Sequence, residues 1–146
     1  LDVVSEINLH EPALLPADYC SDINERLTLY KRLANCEAPD ELQAIQEELI
    51  DRFGKLPPQG RALIETHRLR IAAKPLGIAK IDAHETKIQL GFVPNPPVDP
   101  ARIIELIQKN RHYKLAGPDK LTVGVETRDL AERVGAVRDA LKKLGG

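Results

Sequence analysis

Two carboxylates, Glu48 and Asp51, are the residues whose type and spacing indicate a binding role. They are three positions apart in a predicted helix, so they lie side by side on its surface. Such a pair can accept forked hydrogen bonds from the guanidinium groups of partner arginines. The same pair is also consistent with an ordinary solvated face, in which Arg52 and Lys55 neutralise it. The residues alone leave both interpretations open.

The residue types most often used in catalysis and metal binding are scattered along the chain. The four histidines occupy different predicted elements and lack metal-ligand spacing; they are His10, His67, His84 and His112. A zinc site would need clustered nitrogen or sulfur ligands. The sequence also lacks a phosphate-binding glycine loop and a nucleophile elbow. We therefore predict no catalytic residue, no metal site and no cofactor in this chain.

Two cysteines, Cys20 and Cys36, do not form a C-x-x-C pair. A structural disulfide and two free thiols both remain open, and free thiols in a reducing cytosol are favoured. No apolar run approaches the length that spans a bilayer, and no signal-peptide pattern occurs. We expect a cytoplasmic protein without membrane contact.

Four basic residues near the third predicted helix are candidates for nucleic-acid binding; they are Arg61, Arg68, Arg70 and Lys74. Their helical angles do not place all four on one face, and Glu65 interrupts them. The formal net charge of the chain is -1, so no overall excess of cations attracts a phosphate backbone. A solvated surface is therefore the favoured interpretation of this group.

Proline, glycine and acidic caps predict three helices in the first half of the chain. The first begins at Asp22, which has capping-box spacing to Glu25. The second covers residues 39–53, and the third follows Pro57-Pro58 and runs to about Lys74. Two apolar stripes predict that the first helix is sandwiched between neighbours. One stripe contains Ile23, Leu27, Tyr30 and Ala34, and the other contains Leu29 and Leu33.

Alternating apolar and polar residues predict a strand within residues 5–10 and two strands within residues 77–93. Asp99 and Pro100 then begin a helix, two short strands follow, and the last helix covers residues 127–144. The predicted fold class is α+β. A helical N-terminal half, residues 1–76, packs on a small β-β-α-β-β-α half, residues 77–146, with an antiparallel or mixed sheet.

The length of 146 residues fits one domain, and we predict a single regulatory domain over residues 1–146. Aromatic residues make up only 3% of the chain, so its core must be aliphatic. The sequence contains no methionine, and we interpret it as a segment of a longer protein.

Four stretches are long and specific enough to carry a family resemblance. They are E-I-N-L-H-E-P-A-L-L-P-A-D-Y (residues 6–19), I-N-E-R-L-T-L-Y-K-R-L (23–33), E-L-I-D-R-F-G-K-L-P (48–57) and L-R-I-A-A-K-P-L-G-I (69–78). A looser match covers residues 112–121. On these residues the chain resembles the C-terminal domain of the bacterial transcription-repair coupling factor, Mfd.

The resemblance implies a parent protein that is an ATP-driven DNA translocase, with ATP and magnesium bound in motor domains outside this chain. Such a protein displaces stalled RNA polymerase from DNA and recruits the repair protein UvrA. Its C-terminal domain docks on the parent's own UvrB-like module and masks the UvrA-binding surface. Glu48 and Asp51 then become the expected docking residues. The alternative is an accessory domain that binds nucleic acid or regulates the motors.

Overall fold

The computed structural model describes residues 5–145, which fall into two compact units. We call residues 11–71 the helical unit, and residues 1–10 with 72–146 the sheet unit. The single domain over residues 1–146 stays a prediction, and residues 1–4 and 146 lie outside the described part of the chain.

The helical unit contains α1 (Ile23–Ala34), α2 (Pro39–Phe53) and most of α3 (Pro58–Ala73), whose last two residues fall in the sheet unit. The Asp22 carboxylate accepts a hydrogen bond from the backbone N–H of Asn24 at 2.9 Å, which confirms the predicted start of α1. Pro39 and Pro58 occupy first turns, where a helix does not need their missing N–H groups.

An aliphatic cluster forms the core of the helical unit, as the scarcity of aromatic residues predicts. Its buried members are Leu15, Cys20, Leu29, Leu33, Cys36, Leu42, Ile45, Leu49, Leu56, Leu63 and Ile64. The prediction that α1 is covered on both apolar stripes is wrong. Leu29 and Leu33 are buried, whereas Ile23 and Leu27 are 60% and 58% exposed. A helix with one buried face needs only one of its stripes for the core.

The described sheet unit contains five strands, two helices and a short 3-10 turn at Lys74–Leu76. The strands are β1 (Glu6–Asn8), β2 (Ile78–Ala83), β3 (Lys87–Phe92), β4 (Tyr113–Leu115) and β5 (Lys120–Gly124), and the helices are α4 (Pro100–Lys109) and α5 (Leu130–Gly145). Their order in the sheet is β1-β2-β3-β5-β4. β1 pairs with β2 in parallel, and every other pair is antiparallel. The α+β class, the β-β-α-β-β-α order and the mixed sheet are thus confirmed.

The last helix begins three residues later than the sequence analysis places it. The Asp129 carboxylate accepts a hydrogen bond from the N–H of Glu132 at 2.9 Å and so caps a helix that starts at Leu130. Thr127 is buried instead, and its hydroxyl donates to the carbonyls of His84 and Glu85. These contacts hold residue 127 in the connection before the helix.

The two faces of the sheet differ in exposure along each strand. Residues of one face are almost completely buried; they are Ile81, Ile88, Leu90, Leu121 and Val123. The alternate residues of the same strands are exposed or half-buried; they include Lys80, Lys87, Gln89, Lys120 and Thr122. One face therefore packs into the core of the unit while the other faces solvent.

Candidate functional site

Glu48 lies on α2 in a two-pronged ion pair with Arg32 of α1. The Arg32 Nη2 and Nη1 atoms donate to Glu48 Oε1 and Oε2, each at 2.8 Å. The hydrogen bond from Arg32 holds the pKa of Glu48 below its usual value. The same hydrogen bond raises the pKa of Arg32. The half-buried Glu48 carboxylate is therefore ionised and oriented before any partner arrives.

Arg52 extends this contact along the α1–α2 seam. Its Nη1 donates to Glu48 Oε2 at 3.1 Å, and its Nη2 forms an ion pair with Glu25 of α1. We call Glu25, Arg52, Glu48 and Arg32 the charge ladder. Glu25 thus pairs across the seam with the second helix. The ladder joins two helices that run antiparallel.

Asp51 lies one helical turn from Glu48 and is exposed. Among residues 5–145 its carboxylate has no hydrogen-bond or ion-pair partner. The surrounding helix is acidic, since α2 carries five Asp and Glu residues and one arginine. The structure therefore places the two predicted site residues next to each other, with Asp51 open to solvent and Glu48 engaged in the ladder.

Sequence analysis pairs Glu48 with Arg52 but misses Arg32. The Arg52 contact has a local signal, because residues four apart on a helix are neighbours. Arg32 is sixteen positions away and carries no local signal. The short connection between α1 and α2 could have indicated it, because a short loop makes consecutive helices antiparallel neighbours.

The basic residues near α3 do not form a common surface. Arg70 donates to the carbonyls of Leu33 and Cys36 at 3.2 and 2.9 Å. These hydrogen bonds satisfy carbonyl groups at the C-terminal end of α1. Arg68 donates to the Gln46 side chain at 2.9 Å, and Arg61 donates to a backbone carbonyl at 2.8 Å. These guanidinium groups form hydrogen bonds within the helical unit.

The histidines and cysteines are placed apart. His67 is partly buried beside Arg70, and burial, with the Arg70 charge, lowers its pKa to about 4. Cys20 and Cys36 are buried free thiols, and burial raises the pKa of Cys36. Within residues 5–145 no cluster of three His, Cys, Asp or Glu side chains could hold a metal ion. No helix in the same range has the length and apolarity to cross a membrane.

A pocket of about 380 Å³ opens in the sheet unit beside Tyr113. The Lys143 ammonium lies over the Tyr113 ring at 5.6 Å and pairs with Asp139 at 3.0 Å. Burial and the Asp139 charge raise the pKa of Tyr113 to about 12. Tyr113 therefore stays protonated at neutral pH and provides no base there.

Comparison with known proteins places these features in a family. The family model of the TRCF domain matches residues 9–103. The chain is 40% identical over 141 residues to the transcription-repair-coupling factor of Escherichia coli K12, and 38% identical over 141 residues to that of Haemophilus influenzae. Each alignment covers 96% of this chain and 12% of the relative, so the chain spans about an eighth of those proteins.

A solved structure shares the fold. The crystal structure of the C-terminal domain of a transcription-repair coupling factor superposes with a TM-score of 0.80 at 22% identity. The match covers 97% of this chain and 91% of that one. The chain therefore belongs to the TRCF domain family of transcription-repair-coupling factors, and it has the fold of the C-terminal domain of such a factor.

Proposed function

We propose that this chain is a non-catalytic regulatory domain that docks on a UvrB-like module of its own longer polypeptide. Docking masks the UvrA-binding surface of that module and restrains transcription-coupled nucleotide excision repair in the bacterial cytoplasm. The observation that carries the proposal is the exposed Asp51 carboxylate beside the oriented Glu48 carboxylate on an acidic helix. Two such groups suit arginines on the docking partner.

Glu48 has room for a partner without leaving its ladder. An ionised carboxylate offers about four acceptor positions. Arg32 and Arg52 occupy three of them, one on Oε1 and two on Oε2. A partner arginine can therefore donate to Oε1 of Glu48 and to Asp51 together.

A contact of this kind is suited to a reversible restraint. Partly exposed ion pairs contribute modestly to stability and weaken as salt rises. A coupling free energy of about 1–3 kcal/mol between the closed and open states would hold the domain shut and still let a larger binding event release it. That larger event is engagement of RNA polymerase on DNA by the rest of the parent.

In this proposal the remaining chemistry belongs to the parent outside this chain. The parent is an ATP-dependent DNA translocase whose motor domains bind ATP and magnesium. UvrA, RNA polymerase and DNA are then indirect partners of the domain. The chain itself accounts for 12% of the length of its relatives, which leaves room for such domains.

The test reverses the charge of the open carboxylate in the full-length parent. Asp51→Lys removes one acceptor and places a cation opposite the proposed arginines, while the charge ladder stays intact. We expect UvrA to bind the variant roughly 5–150 times more tightly than the wild type, as a lost coupling of that size requires. Titration of UvrA by biolayer interferometry measures the change.

The matched control is Glu126→Lys, an exposed carboxylate of the sheet unit with the same change in charge. It should leave UvrA binding unchanged. Thermal unfolding of both variants checks that the fold persists. Equal UvrA affinity in Asp51→Lys and the wild type would show that Asp51 takes no part in docking. The proposal would then lose the observation that supports it.

A further inference from the structure

The solvent-facing side of the sheet carries a group of lysines that the docking proposal does not use. We call Lys80, Lys87, Lys114 and Lys120 the lysine face. All four are exposed and lie on strands β2, β3, β4 and β5 respectively. Alternation along the strands places them opposite the buried residues of the core face. The sheet itself, rather than a loop, therefore presents these cations.

Strand register shows how the lysines are arranged. Gly91 lies between Lys80 on one neighbouring strand and Lys120 on the other. Neighbouring strands are about 4.8 Å apart, so these two lysine backbones are about 10 Å apart with no side chain between them. Lys87 lies opposite a second glycine, Gly124. The face is therefore a shallow trough with cations along its sides.

Hydrogen-bonding side chains occupy the floor of the trough. Gln89 and Thr122 are direct cross-strand neighbours, and Lys114 lies opposite Thr122 on the edge strand. Both polar side chains are only half-buried. Asp82 lies opposite Gln89 on its other side, and Glu6 lies opposite Lys80, so the same face also carries two carboxylates. The ammonium, amide and hydroxyl groups of the trough are side-chain types that contact phosphate oxygens in nucleic-acid complexes.

Cations outnumber carboxylates on the lysine face, with four lysines against Glu6 and Asp82, and Asp82 already pairs with His10. Within residues 5–145, Lys87, Lys114 and Lys120 have no carboxylate partner, and Lys80 reaches Glu6 only at 3.8 Å. The whole sheet unit has 13 Lys and Arg residues against 11 Asp and Glu, a formal charge of +2. The helical unit has 8 against 11, a charge of -3. The sheet unit therefore attracts a polyanion more strongly than the helical unit does.

We infer that the lysine face binds the phosphate backbone of a nucleic acid. Lysine ammonium groups neutralise backbone phosphates as point charges, whereas lysine is depleted in protein–protein interfaces. The aromatic residues of the sheet, Phe92 and Tyr113, are buried on the other face. In the described strands no Phe or Tyr ring is presented to bases on the lysine face, so the expected contact is to the backbone and independent of sequence. The lysines belong to the sheet unit, whereas the proposed docking residues belong to the helical unit.

The test measures binding of the 146-residue chain to a fluorescein-labelled DNA duplex of about 20 base pairs by fluorescence anisotropy. Four lysine–phosphate contacts predict a slope of roughly -3.6 for log affinity against log salt between about 50 and 200 mM. The variant Lys87→Gln/Lys114→Gln/Lys120→Gln should flatten the slope to about -1, because each lost contact removes close to one unit.

A matched control removes three other exposed lysines, in Lys31→Gln/Lys55→Gln/Lys74→Gln. It changes the net charge equally and should keep at least half of the wild-type slope. Absence of salt-dependent binding by the wild-type chain would overturn the inference, as would equal losses in the two triple variants. A labelled poly-glutamate peptide that binds as tightly as the duplex, through the same lysines, would also overturn it in favour of an acidic protein partner.

Discussion

The two units of the molecule use their cations differently. Each arginine of the helical unit donates a hydrogen bond inside that unit, to a carbonyl or to a polar side chain; they are Arg26, Arg32, Arg52, Arg61, Arg68 and Arg70. The sheet unit instead leaves the lysines of its outer face in water. A guanidinium is a rigid fork that suits fixed geometry, whereas an ammonium on a flexible stem stays hydrated.

This difference separates structural charge from charge that is available to partners. In the helical unit the arginines are occupied, so apart from Lys31 and Lys55 the free charge that remains is acidic, with Asp51 as its clearest member. On the lysine face of the sheet unit the free charge is mainly basic. One chain of formal charge -1 can therefore present surfaces of opposite sign to two different partners.

The largest expected effect on the free energy of unfolding comes from acidification, and it involves His67 of the helical unit. The unfolded chain protonates His67 near pH 6.5, but the folded chain does so only at about pH 4. The unfolded state therefore binds more protons between these values, and stability falls as the pH drops through that window. We expect His67 to account for about 3 kcal/mol of this loss.

Urea unfolding at pH 7 and pH 4 measures that effect. His67→Gln should lose about 3 kcal/mol less than the wild type between the two values, because glutamine takes up no proton. His112→Gln changes an exposed histidine of the sheet unit and should behave as the wild type. The same loss in His67→Gln as in the wild type would contradict the assignment.

Removal of one internal arginine gives the next effect. Arg70→Ala leaves the carbonyls of Leu33 and Cys36 without their donor, and should lower the free energy of unfolding by about 1–3 kcal/mol. Lys114→Ala on the lysine face should change it by less than about 0.5 kcal/mol. Chemical denaturation of both variants at pH 7 provides the test. Similar losses would remove the distinction between the two units.

The ladder gives the smallest effect. A double-mutant cycle on Arg32→Ala and Glu48→Ala should return a coupling of about 0.5–1 kcal/mol, because 42% and 33% of these side chains are exposed and water screens the pair. The coupling should shrink in about 1 M salt. A cycle on Glu105 and Lys109 of the sheet unit, whose side chains are more exposed, should return less. A larger coupling free energy for Glu105 and Lys109 than for Arg32 and Glu48 would contradict this prediction.

The fold was predictable where local signals agree. Asp22 and Asp99 cap helices as expected, and apolar alternation marks β2 and β3. Failures occur where tertiary contacts decide between local options. Both apolar stripes of α1 look alike in sequence, and only packing determines that Leu29 is buried while Leu27 is exposed.

The site shows the same limit. Sequence analysis found Glu48 and Asp51 as helical neighbours. It could not show that Arg32 forms an ion pair with Glu48 and leaves Asp51 unpaired. That contact joins two elements, and its geometry depends on how α1 and α2 lie side by side. Whether Glu48 and Asp51 bind a partner stays a prediction.

The parallel pairing of β1 with β2 has a consequence for how the protein is made. Ile7 of β1 pairs with Ile81 of β2. The entire helical unit is therefore synthesised before β1 can pair with another strand. At ordinary rates of synthesis this wait lasts roughly 4–15 s. During that time an unpaired strand is open to association with other chains. The nascent molecule can therefore complete its sheet only after the whole helical unit has been synthesised.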